Sequence, residues 1–175
     1  MPPKIVHLDV RQLLQARQKP FQLIMDTVQS VTEADVFELH APFSPVPLIK
    51  LLGKKGYASA QLRLGPKHYA TQFRRSGIAT NPDTAAYVLD CRALEDGARR
   101  AALAEIAAAW LQNDSCRSLE LWLDETALSS CTEELKLVCN GGIRLEAVRQ
   151  SGMTVLAIRK KPEEVRQHRG GIGNA

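Results

Sequence analysis

Two stretches of this 175-residue chain carry the same phrase. Leu8-Asp9-Val10-Arg11-Gln12-Leu13 and Leu89-Asp90-Cys91-Arg92-Ala93-Leu94 both read Leu-Asp-x-Arg-x-Leu, about eighty residues apart. A phrase that returns at that distance constrains the fold strongly, because it points to one supersecondary unit built twice. The hydrophobic periodicity after each phrase supports this. In the first half, residues 4–8 form a short β-branched strand ending at Asp9. Phe21, Ile24, Met25, Val28 and Val31 then recur at the spacing of an amphipathic helix, with Pro20 suited to its first turn. Residues 35–41 alternate Val36, Glu38 and His40 against Phe37 and Leu39, which is a strand pattern. Ser44 as N-cap and Pro45 at the first helical position open a second helix that Gly53 or Gly56 ends. Residues 57–64 and 68–75 read as a closing hairpin around Gly65-Pro66-Lys67.

The second half repeats this order. Residues 86–90 are the strand, and Leu103, Ile106, Ala107, Trp110 and Leu111 share one helical face. Residues 118–124 are the next strand, with Glu120 standing where Glu38 stands in the first. Ser130 and Glu133 have capping-box spacing, Gly141 and Gly142 stop that helix, and residues 143–160 close on a hairpin. The expected class is α/β, an α+β two-layer sandwich of two tandem β-α-β-α-β-β lobes. The expected boundaries are 1–75 for the first lobe, 76–86 for a turn-rich linker, 87–161 for the second lobe and 162–175 for a disordered tail. Lobes of this size are near the lower limit for an independent core, so they are expected to pack together or dimerise.

Composition narrows the function classes. No apolar stretch reaches the roughly 18 residues a membrane span needs, and the N-terminus lacks a signal-peptide core, so a cytoplasmic location is the expectation. The cysteines are Cys91, Cys116, Cys131 and Cys139, with no C-x-x-C pair, which fits reduced thiols better than a disulfide framework or a zinc knuckle. Charge is uneven: residues 1–80 hold eleven Lys/Arg and five Asp/Glu, whereas residues 81–161 hold ten and twelve. A basic lobe beside a slightly acidic one is compatible with an anionic partner or with mutual attraction of the lobes.

Leu8-Asp9-Val10-Arg11, Phe43-Ser44-Pro45-Val46-Pro47-Leu48 and Lys54-Lys55-Gly56-Tyr57 resemble the family called domain of unknown function 2249. That family looks like a relative of the TusA/SirA sulfur-carrier proteins, and the resemblance implies their two-layer fold. It covers residues 5–75 well and 87–161 more weakly. The carriers bear a cysteine in a Cys-Pro-x-Pro motif soon after the Leu-Asp phrase. That position falls here on Gln15 and on Asp96, and neither side chain carries sulfur. The resemblance therefore implies the fold without the carrier chemistry at its usual place.

Several residues remain as candidates. Residues i and i+2 of a strand share a face, so Asp9 is expected beside Arg11 and Asp90 beside Arg92, either as a clamp for an anionic ligand or as an ion pair fixing a strand–helix corner. Because the pair recurs in different surroundings, the structural reading is favoured. His40 and Ser44 would complete a rim with these groups. Cys131, placed by the capping box at a helix start, is a weak candidate for a relocated nucleophile, since Glu133 and Glu134 oppose a thiolate. His7, His40, His68 and His168 show no metal-ligand spacing, and no cofactor or metal is expected. Lys54, Lys55, Arg63, Lys67, Arg74 and Arg75 are the candidates for RNA, with the fold also resembling some RNA-binding modules, but only Tyr57 and Tyr69 are near to stack on bases. The leading expectation is a non-enzymatic binding or adaptor module holding a protein partner or a small anionic ligand. A Cys131-dependent sulfur or redox protein and an RNA-binding module are the alternatives.

Overall fold

A computed structural model describes residues 2–75, 85–150 and 152–162, and the expected linker and tail lie almost wholly outside these residues. The first half contains β1 (Ile5–Asp9), α1 (Arg11–Gln15), α2 (Phe21–Ser30), β2 (Val36–Ala41), α3 (Val46–Lys54), β3 (Tyr57–Gly65) and β4 (His68–Arg75). The second contains β5 (Tyr87–Asp90), α4 (Asp96–Leu111), β6 (Ser118–Leu123), α5 (Leu128–Cys139), β7 (Ile143–Gln150) and β8 (Met153–Lys160). Each half forms its own four-stranded sheet, ordered β1-β2-β4-β3 and β5-β6-β8-β7. In both, the first two strands are parallel and the rest antiparallel. The parallel pair requires a crossover, and the amphipathic α2 and α4 supply it. No described helix is long and apolar enough to cross a membrane.

Strand alternation decides what each face of the first sheet does. Phe37, Leu39 and Phe73 point to one face and build a core with Ile24, Val28, Leu48 and Leu52 of α2 and α3. Val36, Glu38, His40, Ala70 and Gln72 point to the other face, which is not left to water. Ala58, Ala60, Leu62 and Ala70 join the core of Tyr87, Leu103, Ile106 and Trp110, so α4 packs on β3 across a floor of small side chains. Beside it, Val36 and half-buried Ile5 meet Val88, Trp122, Met153 and Val155. The two lobes therefore share apolar core, which relieves the small-domain problem posed by their length.

The lobe junction also closes a sheet edge. β5 is an edge strand whose backbone would otherwise offer unpaired groups. The Gln72 side chain meets it as a neighbouring strand would: Nε2 donates to the Val88 carbonyl at 2.7 Å, and the Val88 N–H donates to Oε1 at 2.7 Å.

Three local expectations are corrected. Arg11 and Arg92 lie beyond the ends of their strands, Arg11 opening the short helix α1, so the Asp-x-Arg pairs span corners and not strand faces. Helix α3 starts at Val46 with Pro45 at the cap and no side-chain capping bond; Gly56, at φ 87°, takes the left-handed conformation just past its end. Helix α5 starts at Leu128, after a 3-10 turn over Glu125–Ala127, so Ser130 is not its N-cap. The buried stripe Ala127, Cys131, Leu135 and Cys139 repeats every four residues and begins before Ser130, which draws the helix back. The Ser130 hydroxyl instead donates to the Ala127 carbonyl at 3.2 Å.

Candidate functional site

The Asp-x-Arg corners are closed upon themselves. Asp9 Oδ1 accepts the Arg11 backbone N–H at 3.0 Å, and the guanidinium grips both carboxylate oxygens, at 3.0 Å from Nε and 2.7 Å from Nη2. Asp90 holds Arg92 in the same way, at 3.1 Å to the N–H, 2.9 Å to Nε and 2.8 Å to Nη2. The Arg11 guanidinium lowers the Asp9 carboxyl to about 2. Burial works against the Asp90 charge, yet Arg92 holds that carboxyl below its ordinary value. Between each pair a buried residue, Val10 or Cys91, donates its N–H to the next strand, to His40 and Trp122 carbonyls respectively. Each phrase thus builds a strand–helix corner and presents little free charge to a ligand. Arg92 is committed further, donating to the Pro3 carbonyl at 2.7 Å and lying over the Trp122 ring at 5.2 Å.

On the lobe-facing side of the first sheet, parallel register sets His7 beside Glu38 and Asp9 beside His40. His7 Nδ1 donates to Glu38 Oε1 at 3.1 Å and His40 Nε2 donates to the same oxygen at 2.7 Å. The other oxygen, Oε2, accepts from Gln72 Nε2 at 2.6 Å and from the Tyr87 hydroxyl at 3.1 Å. His40 Nδ1 lies 2.7 Å from His68 Nε2. Burial opposes ionisation of Glu38, but these donors overcome it and hold the carboxyl below its ordinary range. The bond to Glu38 raises the His7 imidazole, while burial lowers that of His68. The cluster grades outward: the Glu38 side chain is 7% exposed, His40 18% and His7 62%. His40 stands near Asp9 at the rim as expected, although the spacing of the histidines in the chain shows no ligand pattern. The three that fall within the described residues converge.

The opposite, helix-bearing side carries the main apolar opening. A cavity of about 300 Å³ lies between α1, α2 and α3, walled by Val10, Leu14, Ile24, Leu39, Leu48 and Leu51. Phe21 and Phe43 line it as well, 56% and 54% exposed, with Pro45 and Pro47 beside them. Phe21, expected in the core stripe of its helix, therefore stands at the mouth of this groove. The proline-rich Ser44–Leu48 segment matters here through its apolar neighbours, since Ser44 makes no capping bond.

Of the remaining candidates, Lys55, Tyr57 and Arg75 line one cavity of about 280 Å³, and the thiols are set apart from it. All four thiols are buried, and burial pushes each of them up, Cys91 to about 12. Cys131 sits in the body of α5, beside a cavity of only about 40 Å³, without the helix-end amides a thiolate needs. Among the basic residues, Arg74 pairs with Glu120 at 3.2 Å in the lobe junction, and Arg63 and Arg75 lie over Tyr69 and Tyr57. The cations nearest the two tyrosines thus already cover those rings.

Residues 7–75 match the model of a family described as "Uncharacterized conserved protein (DUF2249)". No curated protein and no solved structure matches the chain significantly.

Proposed function

We propose that the protein is a non-enzymatic cytoplasmic binding module, built from two sulfur-carrier-like sandwiches related by duplication, whose first lobe docks an amphipathic, acidic segment of a partner protein. The observation that carries this reading is the apolar groove at the start of α3, open to solvent and edged by exposed Phe21 and Phe43. Exposed apolar side chains that cluster around a concavity, with polar surface beyond, are the usual mark of a docking site. Leu23 and Val46 extend the apolar rim along α2 and α3. Charge selects the partner. Arg17 and Lys19 in the α1–α2 turn and Lys50 on α3 are all exposed, whereas three of the first lobe's five acidic side chains are withdrawn, Asp9 by Arg11 and Asp35 and Glu38 by burial. A helix with an apolar stripe and acidic flanks complements both features.

The test uses a fluorescently labelled peptide with one apolar helical stripe and glutamate flanks, titrated with the full chain. Binding is expected to weaken at high salt and to fall by about tenfold or more on Phe21→Ala or Phe43→Ala, because exposed aromatic anchors dominate such interfaces and their removal does not disturb the core. A peptide with the same stripe and lysine flanks should bind more weakly. Equal binding of both peptides, or no effect of either substitution, contradicts the reading.

A further inference from the structure

We infer that His7 Nδ1, His40 Nε2 and Glu38 Oε1 form a binding site for a divalent transition-metal ion of the zinc type, with a further coordination position open to solvent. This rests on the lobe-facing side of the first sheet and is independent of the groove, which lies on the other side. The three donor atoms lie within 4.8 Å of one another. Glu38 Oε1 is 2.7 Å from one imidazole nitrogen and 3.1 Å from the other. Tetrahedral ligands at about 2.0–2.1 Å from zinc stand about 3.3 Å apart, so small outward rotations of the two rings admit the ion. Two imidazoles and one carboxylate suit zinc, cobalt(II), nickel(II) or iron(II), and a set of three leaves room for water or an added ligand.

What separates this cluster from an ordinary buried ion pair is its outer layer. The carboxylate oxygen not offered to the metal is already held by Gln72 and Tyr87. The His40 nitrogen not offered to the metal already faces His68 Nε2. With metal on Nε2, the His40 proton resides on Nδ1 and is donated to His68, which fixes both the tautomer and the ring plane. Such outer partners are what orient a ligating histidine and carboxylate. Gln72 also grips β5, so the site is braced by both lobes. Exposed His7 is the movable member through which an ion enters.

The second lobe supplies an internal control. In the matching registers, Val88 stands for His7, Glu120 for Glu38 and Trp122 for His40. Trp122 Nε1 donates to Glu120 Oε1 at 2.8 Å, close to the His40–Glu38 distance, but an indole N–H has no lone pair for a metal. Among the described residues the expected stoichiometry is therefore one ion per chain.

The experiment titrates the full chain, as purified and stripped with chelator, with cobalt(II) and zinc(II) chloride. Cobalt absorption in the visible should saturate at one equivalent without the near-ultraviolet band of thiolate ligation, and excess zinc should abolish it. His7→Ala, at an exposed position and with unchanged circular dichroism, should weaken binding by about a hundredfold or more. His68→Ala, acting only through His40, should weaken it by about 10–100-fold. His168→Ala should change nothing. Absence of binding at millimolar metal, thiolate absorption, or His7→Ala and His40→Ala chains that bind as the parent does would each overturn the site.

Discussion

The two lobes have the same strand order and the same Asp-x-Arg corner, yet they use their surfaces differently. In the second lobe α4 and α5 pack on each other, Arg100 of α4 meets Glu134 of α5 at 3.1 Å, and the cavity between them is about 40 Å³. In the first lobe α2 and α3 splay around a cavity of about 300 Å³. On the sheet faces turned toward each other, the first lobe places His7 and His40 around its glutamate, and the second places Val88 and Trp122 around its own. One lobe sets two imidazoles at these positions, and the other sets an aliphatic side chain and an indole. The lesson is that a fold signature locates a scaffold, and the residues at register-matched positions decide what chemistry each copy presents.

The largest way to break this contrast is to truncate the braces. Trp122 is 1% exposed in the lobe junction, and Trp122→Ala should cost about 3–5 kcal/mol of unfolding free energy, measured by urea denaturation. His40→Ala, at the matching position in the first lobe, should cost no more than about 1–3 kcal/mol. If the two losses were equal, the assignment of bracing to one lobe would be wrong.

The paired glutamates give the next effect. Glu38 is buried among four donors, so Glu38→Gln should destabilise by about 3 kcal/mol through lost charge-assisted bonds. Glu120 is less enclosed, with an 18% exposed side chain, and its glutamine keeps an acceptor for Trp122, so Glu120→Gln should cost less, about 1–2 kcal/mol. Gln72→Ala should fall between them, at about 1–3 kcal/mol, and should raise hydrogen exchange at the Val88 amide, which the Gln72 carbonyl oxygen accepts.

The smallest effects concern the corners. Arg11→Ala should change stability by about 0–1 kcal/mol, because both partners are substantially exposed. Arg92→Ala should cost more, since it also loses the Pro3 carbonyl and the Trp122 ring. Both aspartates are lowered by their arginines, so their contribution is present above the ordinary carboxylate value and is lost as pH falls. The stability gap between the parent and Asp9→Asn should therefore hold near neutral pH and close between about pH 4 and pH 2. A gap that widened on acidification would mean that Asp9 is not held ionised by Arg11.

Much of this architecture was legible in the sequence, because period 2 and period 3.6 patterns read out the strands and long helices directly. The corner phrase correctly marked equivalent places in both halves. The histidine–glutamate cluster was not legible, for a definite reason. His7 and Glu38 are far apart in the chain, and only the parallel β1–β2 register makes them neighbours. Alternation already put Glu38 and His40 on one face, but a polar face reads as solvated, and here the second lobe covers it. Pairing the first two strands in parallel and comparing their polar faces would have found the cluster. The groove escaped for the opposite reason: apolar Phe21 matched a core stripe, and nothing local reveals that α2 and α3 stand too far apart to cover it. Cys131 was misplaced because a capping-box match outweighed a four-residue apolar stripe that begins earlier.

The claim that the first lobe binds and the second braces is tested most directly by amide chemical-shift mapping of the full chain during titration with the glutamate-flanked peptide. Shifts should concentrate at Val10, Leu14, Ile24, Phe43 and Leu48 around the groove, with α4 and α5 unmoved. Shifts centred on α4 and α5, or spread evenly over both helix layers, would contradict it.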